Sequence, residues 1–133
     1  MSLKFFKLTS FFTFPFLIFC LALFFYFSGI YSLFPWLDIP LHFIGGASIA
    51  YMALLFFRFW KQEKKIEIKN RFILVLLVVC VVALFAVVWE LGEFFCGDIL
   101  RISFFVQESL EDTLLDLFVG LCGGLTGGIF SKV

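Results

Sequence analysis

The chain contains a single histidine among its 133 residues, and its four cysteines and three prolines are scattered. No two of Cys20, Cys80, Cys96 and Cys122 have metal-ligand spacing, so neither a thiolate metal site nor a disulfide framework is expected, and the four read as small apolar residues. Polar sequence is scarcer still. Apart from residues 61–71, no extended stretch could solvate a separate soluble domain, and a function must lie in or beside the apolar body. Lys and Arg are missing from the middle of all four long apolar runs, about residues 11–30, 41–60, 72–95 and 112–130. The first run is longer than the roughly 7–15 apolar residues usual in a secretory leader and no convincing small-x-small cleavage site follows it, so a retained first helix is expected. An internal repeat is also lacking, so the inverted-repeat transporter architecture finds no support.

What is present is hydrophobic sequence: 63% of the residues, 23 of them phenylalanine, at a mean hydropathy of +1.13. Each of the four runs is close to the roughly 20 residues that carry a helix across about 30 Å of hydrocarbon. The expectation is an all-α integral membrane bundle of four transmembrane helices, occupying residues 1–133 as one domain.

Charge orients the bundle. Lys4, Lys7, Arg58, Lys61, Lys64, Lys65, Lys69, Arg71 and Lys132 fall on one side against Glu63 and Glu67, a net charge of plus seven. Asp38, Glu90, Glu93, Asp98, Glu108, Glu111, Asp112 and Asp116 fall on the other with Arg101 and His42, a net charge of minus seven with the histidine neutral. Basic short segments mark the cytoplasmic side, which predicts both termini inside and a multi-pass location in the inner membrane.

Three helices bring paired ionisable groups to the outer end: Asp38 and His42, Glu90 and Glu93, Asp112 and Asp116. Spacings of three and four place each pair on one helix face. Helices two and four run inward while helix three runs outward, so all six converge at one depth if the helices are neighbours. Asp38 and Asp112 also suit a helix start, where a carboxylate caps backbone N–H groups, and a lone histidine is commonly a hydrogen-bonded interfacial residue. The glutamates have no such explanation, because they lie in the last turns of a helix, where the dipole disfavours negative charge. A bound cation, protonation, or Arg101 and a charged His42 folded over the cluster would offset their cost. Five carboxylates and one imidazole suit a divalent ion such as Mg²⁺, Mn²⁺, Fe²⁺ or Zn²⁺, with Asp38, His42, Glu90, Glu93, Asp112 and Asp116 as candidate ligands.

The pattern Asp-x-x-x-His at Asp38/His42, Trp-Glu-x-x-Glu at Trp89/Glu90/Glu93, and Asp-Thr-x-x-Asp at Asp112/Thr113/Asp116 before Gly120, Gly123 and Gly124 resembles the YjdF-like predicted inner-membrane proteins. The resemblance spans about residues 36–128. That family is a domain of unknown function, so the resemblance adds weight to the cluster without implying a reaction.

Three functions compete. As an enzyme, the protein would use metal-activated water with Glu90 or Glu93 as catalytic general base, on a membrane lipid or lipid-linked phosphate. As a structural or assembly module, it would hold the same groups in a closed polar network. As a cation or proton transporter it is weakest, because the spans below Glu90 and Asp116 hold no further Asp, Glu, Lys, Arg or His before the basic rim, and a proton wire would have to rely on water, Ser48, Tyr51 or Thr126. No nucleic-acid partner is expected. Gly120, Gly124 and Gly128, at four-residue steps, suit close helix packing within the bundle or a homo-oligomer.

Overall fold

The computed structural model describes the backbone of residues 3–99 and 109–130, with the side chains in that range from residue 11 onward except Asp98. Every long element is helical: α1 (Leu3–Phe27), the short α2 (Ile30–Leu33), a 3-10 turn (Pro35–Leu37), α3 (Asp38–Gln62), α4 (Arg71–Phe94) ending in a π turn (Phe95–Ile99), and α5 (Leu110–Phe130). Among the described residues α3, α4 with its π turn, and α5 are long and apolar enough to cross a membrane, and Phe11–Phe27 is a shorter apolar helix.

Two boundaries differ from the sequence expectation. The first helix ends at Phe27, not residue 30, because Gly29 takes a left-handed conformation at φ 74°. Glycine adopts that conformation without strain and the chain turns there. The helix also begins earlier, at Leu3 and not near residue 11, so Pro15 lies in its interior. A membrane helix tolerates such a proline when its surroundings satisfy the freed backbone groups.

The helices start and stop for local reasons. Asn70 accepts hydrogen bonds from the backbone N–H groups of Phe72 and Ile73, which fixes the start of α4. The Ser109 hydroxyl accepts the Asp112 N–H at 3.1 Å and does the same for α5. At the other end of α5 the Arg71 guanidinium donates to the Ile129 carbonyl, tying antiparallel α4 and α5 together where a helix leaves carbonyls unmet.

Helix α5 packs on both α3 and α4, which also touch each other, and α1 packs on α3. The seam between parallel α3 and α5 is made by glycine. A Cβ on Gly46 would overlap the Gly120 carbonyl, and one on Gly123 would overlap the Phe43 carbonyl. Only hydrogen fits between these backbones, the usual basis of tight association in lipid, where burial of apolar surface supplies no net drive. On the α4 side a Cβ at Gly124 would lie 2.7 Å from Val82 Cγ1. Gly120, Gly124 and Gly128 are therefore buried inside the bundle, engaged with α3 and α4 of the same chain. The apolar core beside this seam is small: Ala50, Ala53, Leu54, Leu74, Val78 and Val82. Large apolar side chains such as Phe16, Phe24, Leu84, Val88 and Phe118 point outward, as they do where the surroundings are hydrocarbon. Helix α1 adds an aromatic layer, with Phe11 edge-on to Phe56 and Phe59, Phe14 against Tyr51, and Phe19 against Trp89.

Candidate functional site

The start of α3, the end of α4 and the start of α5 meet at one end of the bundle, and the six ionisable residues picked out by spacing are there. The turn at Pro35–Leu37 runs directly into α3, and the cap position is occupied by Leu37, which has no side-chain cap. Asp38 is thus not the cap of its helix. Its carboxylate is used elsewhere: Oδ1 accepts the Tyr31 hydroxyl at 3.2 Å, and Oδ2 lies 3.6 Å from His42 Nε2 one turn along.

Asp116 reaches the same imidazole from α5, with Oδ1 3.8 Å from His42 Nε2. The close α3–α5 seam makes this approach possible, because Gly120 and Gly46 sit one turn below Asp116 and His42 on their respective helices. One ligand atom from each of Asp38, His42 and Asp116 lies within 4.8 Å of the others. Asp116 is 4% exposed and Glu90 6%, the only buried carboxylates among the described residues.

Glu90, Glu93 and Asp112 surround this trio. Glu90 hydrogen-bonds the Thr113 side chain, and His42, Asp116 and Asp38 are its charged neighbours. Glu93 hydrogen-bonds the Trp89 side chain four residues before it, and faces Glu90, Asp38 and Asp116. Asp112 sits at the rim, with Asp38 and His42 as its charged neighbours. Its backbone N–H is held by Ser109, so the capping role expected for Asp112 belongs to a serine three residues earlier. Arg101, expected as a counter-charge over the cluster, lies outside the described residues.

The structure adds two groups that sequence reasoning did not assign. Thr113 was visible only as part of a motif. Tyr31 lies in the short α2 after the Gly29 turn, and the break at Phe34 and the 3-10 turn that separate it from Asp38 give the sequence no helical register from which to read their contact. Burial, with the Asp38 charge beside it, pushes the Tyr31 phenol well above its usual value, so it remains a hydrogen-bond donor at neutral pH.

A model of the family described as predicted membrane protein (DUF2238) matches residues 2–133. The chain belongs to this family. The match extends the resemblance noted over residues 36–128 to nearly the whole chain, and agrees with a YjdF-like membrane family of uncharacterised role. Membership in DUF2238 supports a multi-pass membrane protein and names no ligand or reaction. No curated protein and no solved structure matches the chain.

Proposed function

We propose that this DUF2238 protein is a four-span inner-membrane protein with both termini cytoplasmic, carrying a divalent-metal site at its outer face. The observation that carries the reading is the convergence of Asp38, His42 and Asp116 ligand atoms within 4.8 Å. An ion with bonds of about 2.0–2.2 Å holds adjacent ligands about 3.0–3.4 Å apart. The 3.6 and 3.8 Å separations from His42 need a few tenths of an ångström of contraction to reach that range, and the trio as a whole, which lies within 4.8 Å, would have to draw in by up to about 1.5 Å around an ion. An ion would also neutralise the buried Asp116 carboxylate, where uncompensated charge is costly, together with the partly exposed Asp38 beside it. Tyr31 and Thr113 would act behind the ligands, holding Asp38 and Glu90 in orientation.

In this reading Glu90 and Glu93 stand beside the ion as candidate general bases for water attacking a lipid-linked phosphoryl group at headgroup level. The ion would be Mg²⁺, Mn²⁺, Fe²⁺ or Zn²⁺, on the grounds of oxygen and imidazole donors without thiolate. The four-span orientation rests on the apolar runs and on the basic connector between α3 and α4.

A second reading is favoured by the bonds Tyr31 to Asp38, Thr113 to Glu90 and Trp89 to Glu93, which suit a closed structural network. The two separate in one experiment on purified protein. Melting temperature is followed while Mn²⁺ or Zn²⁺ is added to the parent and to Asp116→Asn. A metal site gives a saturable rise in the parent that the variant lacks; a structural network gives no rise in either.

A further inference from the structure

A second site lies at the opposite, basic end of the bundle. A groove of about 530 Å³ runs between α3 and α5, with Ala47, Tyr51, Leu55 and Arg58 along α3 and Gly127 and Phe130 on α5. Positions 47, 51, 55 and 58 recur at helical spacing and form one stripe of α3. Ala47 and Gly127 meet closely at its floor, where a Cβ on Gly127 would lie 3.4 Å from the Ala47 carbonyl oxygen, and the Tyr51 ring packs against Phe14 of α1 at 5.4 Å. The groove's volume is within the roughly 300–1,000 Å³ of ligand sites.

Among the described residues its lining side chains are apolar except for the Tyr51 hydroxyl and the Arg58 guanidinium. Arg58 stands one turn before the end of α3, half-buried and lining the groove, the setting in which an arginine packs its methylene stem on apolar surface and keeps its charge near water. The connector that follows adds Lys61, Lys64, Lys65 and Lys69, and Arg71 opens α4.

We propose that this groove holds one anionic phospholipid, with an acyl chain along Ala47, Leu55 and Phe130 and the phosphate on Arg58. Charge decides the occupant. A second copy inserted in the same orientation would bring its own basic connector against Arg58, like charge on like. An anionic headgroup in the adjoining leaflet has the opposite sign, and a guanidinium matches phosphate geometry. The inference rests on the membrane-spanning orientation in the proposed function and makes no use of the metal.

The test is native mass spectrometry of the full chain after detergent exchange with equal amounts of phosphatidylglycerol and phosphatidylcholine bearing identical acyl chains. One phosphatidylglycerol is expected per chain, favoured about fivefold, the preference that one basic residue near an anionic surface supplies. Arg58→Gln brings the ratio near one, and Leu55→Trp, which fills the groove, lowers retention of both lipids. Lys69→Gln keeps the parent ratio, because Lys69 is 81% exposed and already 3.4 Å from Glu67. Equal retention of the two lipids by the parent overturns the proposal, as does a loss in Lys69→Gln equal to that in Arg58→Gln. A dimer mass that disappears in Leu55→Trp also overturns it and assigns the groove to a second copy. Labelling of Gln62→Cys, in a chain whose four native cysteines are replaced by alanine, from either side of sealed vesicles reads orientation separately, so a wrong topology is distinguished from a lipid site that does not exist.

Discussion

Replacing Gly123 with alanine places a methyl group on the Phe43 carbonyl, a backbone atom in mid-helix with no rotamer through which to move away. The two helices must part by an ångström or more. Overpacking costs about 1–3 kcal/mol where side chains can adjust, and a backbone-limited contact belongs at or above the top of that range. At a few degrees per kcal/mol for a chain of this size, the melting temperature should fall by about 10 °C. The same displacement acts on the site, since His42 and Asp116 face each other across this seam at 3.8 Å. Widening it by an ångström takes the pair beyond what one ion can bridge, so metal retention should fall at least about tenfold. The assay is thermal unfolding in detergent, with metal content measured on the same preparations. Gly45→Ala is the control, because a Cβ there meets nothing within 4 Å and alanine is the better helix former. A Gly123→Ala protein that melts with the parent and keeps its metal would refute the seam as the device that sets the site.

Other expectations follow from single contacts. Gly124→Ala should destabilise by pressing on Val82, and Val82→Ala in the same chain should recover most of the loss, a coupling read from a double-mutant cycle in thermal unfolding. Tyr31→Phe removes the donor to Asp38 and should cost about 1 kcal/mol at neutral pH. The Tyr31 phenol titrates higher in the folded chain than its ordinary 10.0, so its contribution is complete below about pH 10 and lost as pH rises beyond it. Alkaline melting curves should therefore fall more steeply in the parent than in Tyr31→Phe, and parallel curves would count against the buried contact. Arg71→Ala should lower the melting temperature by a few degrees through loss of the Ile129 contact, about 1 kcal/mol at an exposed position. An unchanged melt would show that water serves the α5 terminus equally well.

The helices were legible because each apolar run is continuous, and the meeting of the six ionisable residues was legible because three- and four-residue spacing fixes a face while alternating direction fixes an end. What spacing could not supply was the ranking within the cluster. Asp38, His42 and Asp116 are closest because glycine lets α3 and α5 nearly touch, whereas Glu90 and Glu93 on α4 turn to Thr113 and Trp89. The glycine steps were visible in sequence, but the partner surface was not, since small residues suit packing within one chain or between two. Tyr31 lies out of helical register with Asp38, across the break at Phe34, and the opening of α3 depended on a 3-10 turn that relieves Asp38 of capping.

The most direct test of the account is the metal content of the purified parent, measured by inductively coupled plasma mass spectrometry beside His42→Ala and Asp116→Asn. The account predicts close to one divalent ion per chain in the parent and little in either variant, with all three proteins folded. Metal-free parent protein that gains no stability from added Mg²⁺, Mn²⁺, Fe²⁺ or Zn²⁺ would contradict it and leave the cluster as a structural network.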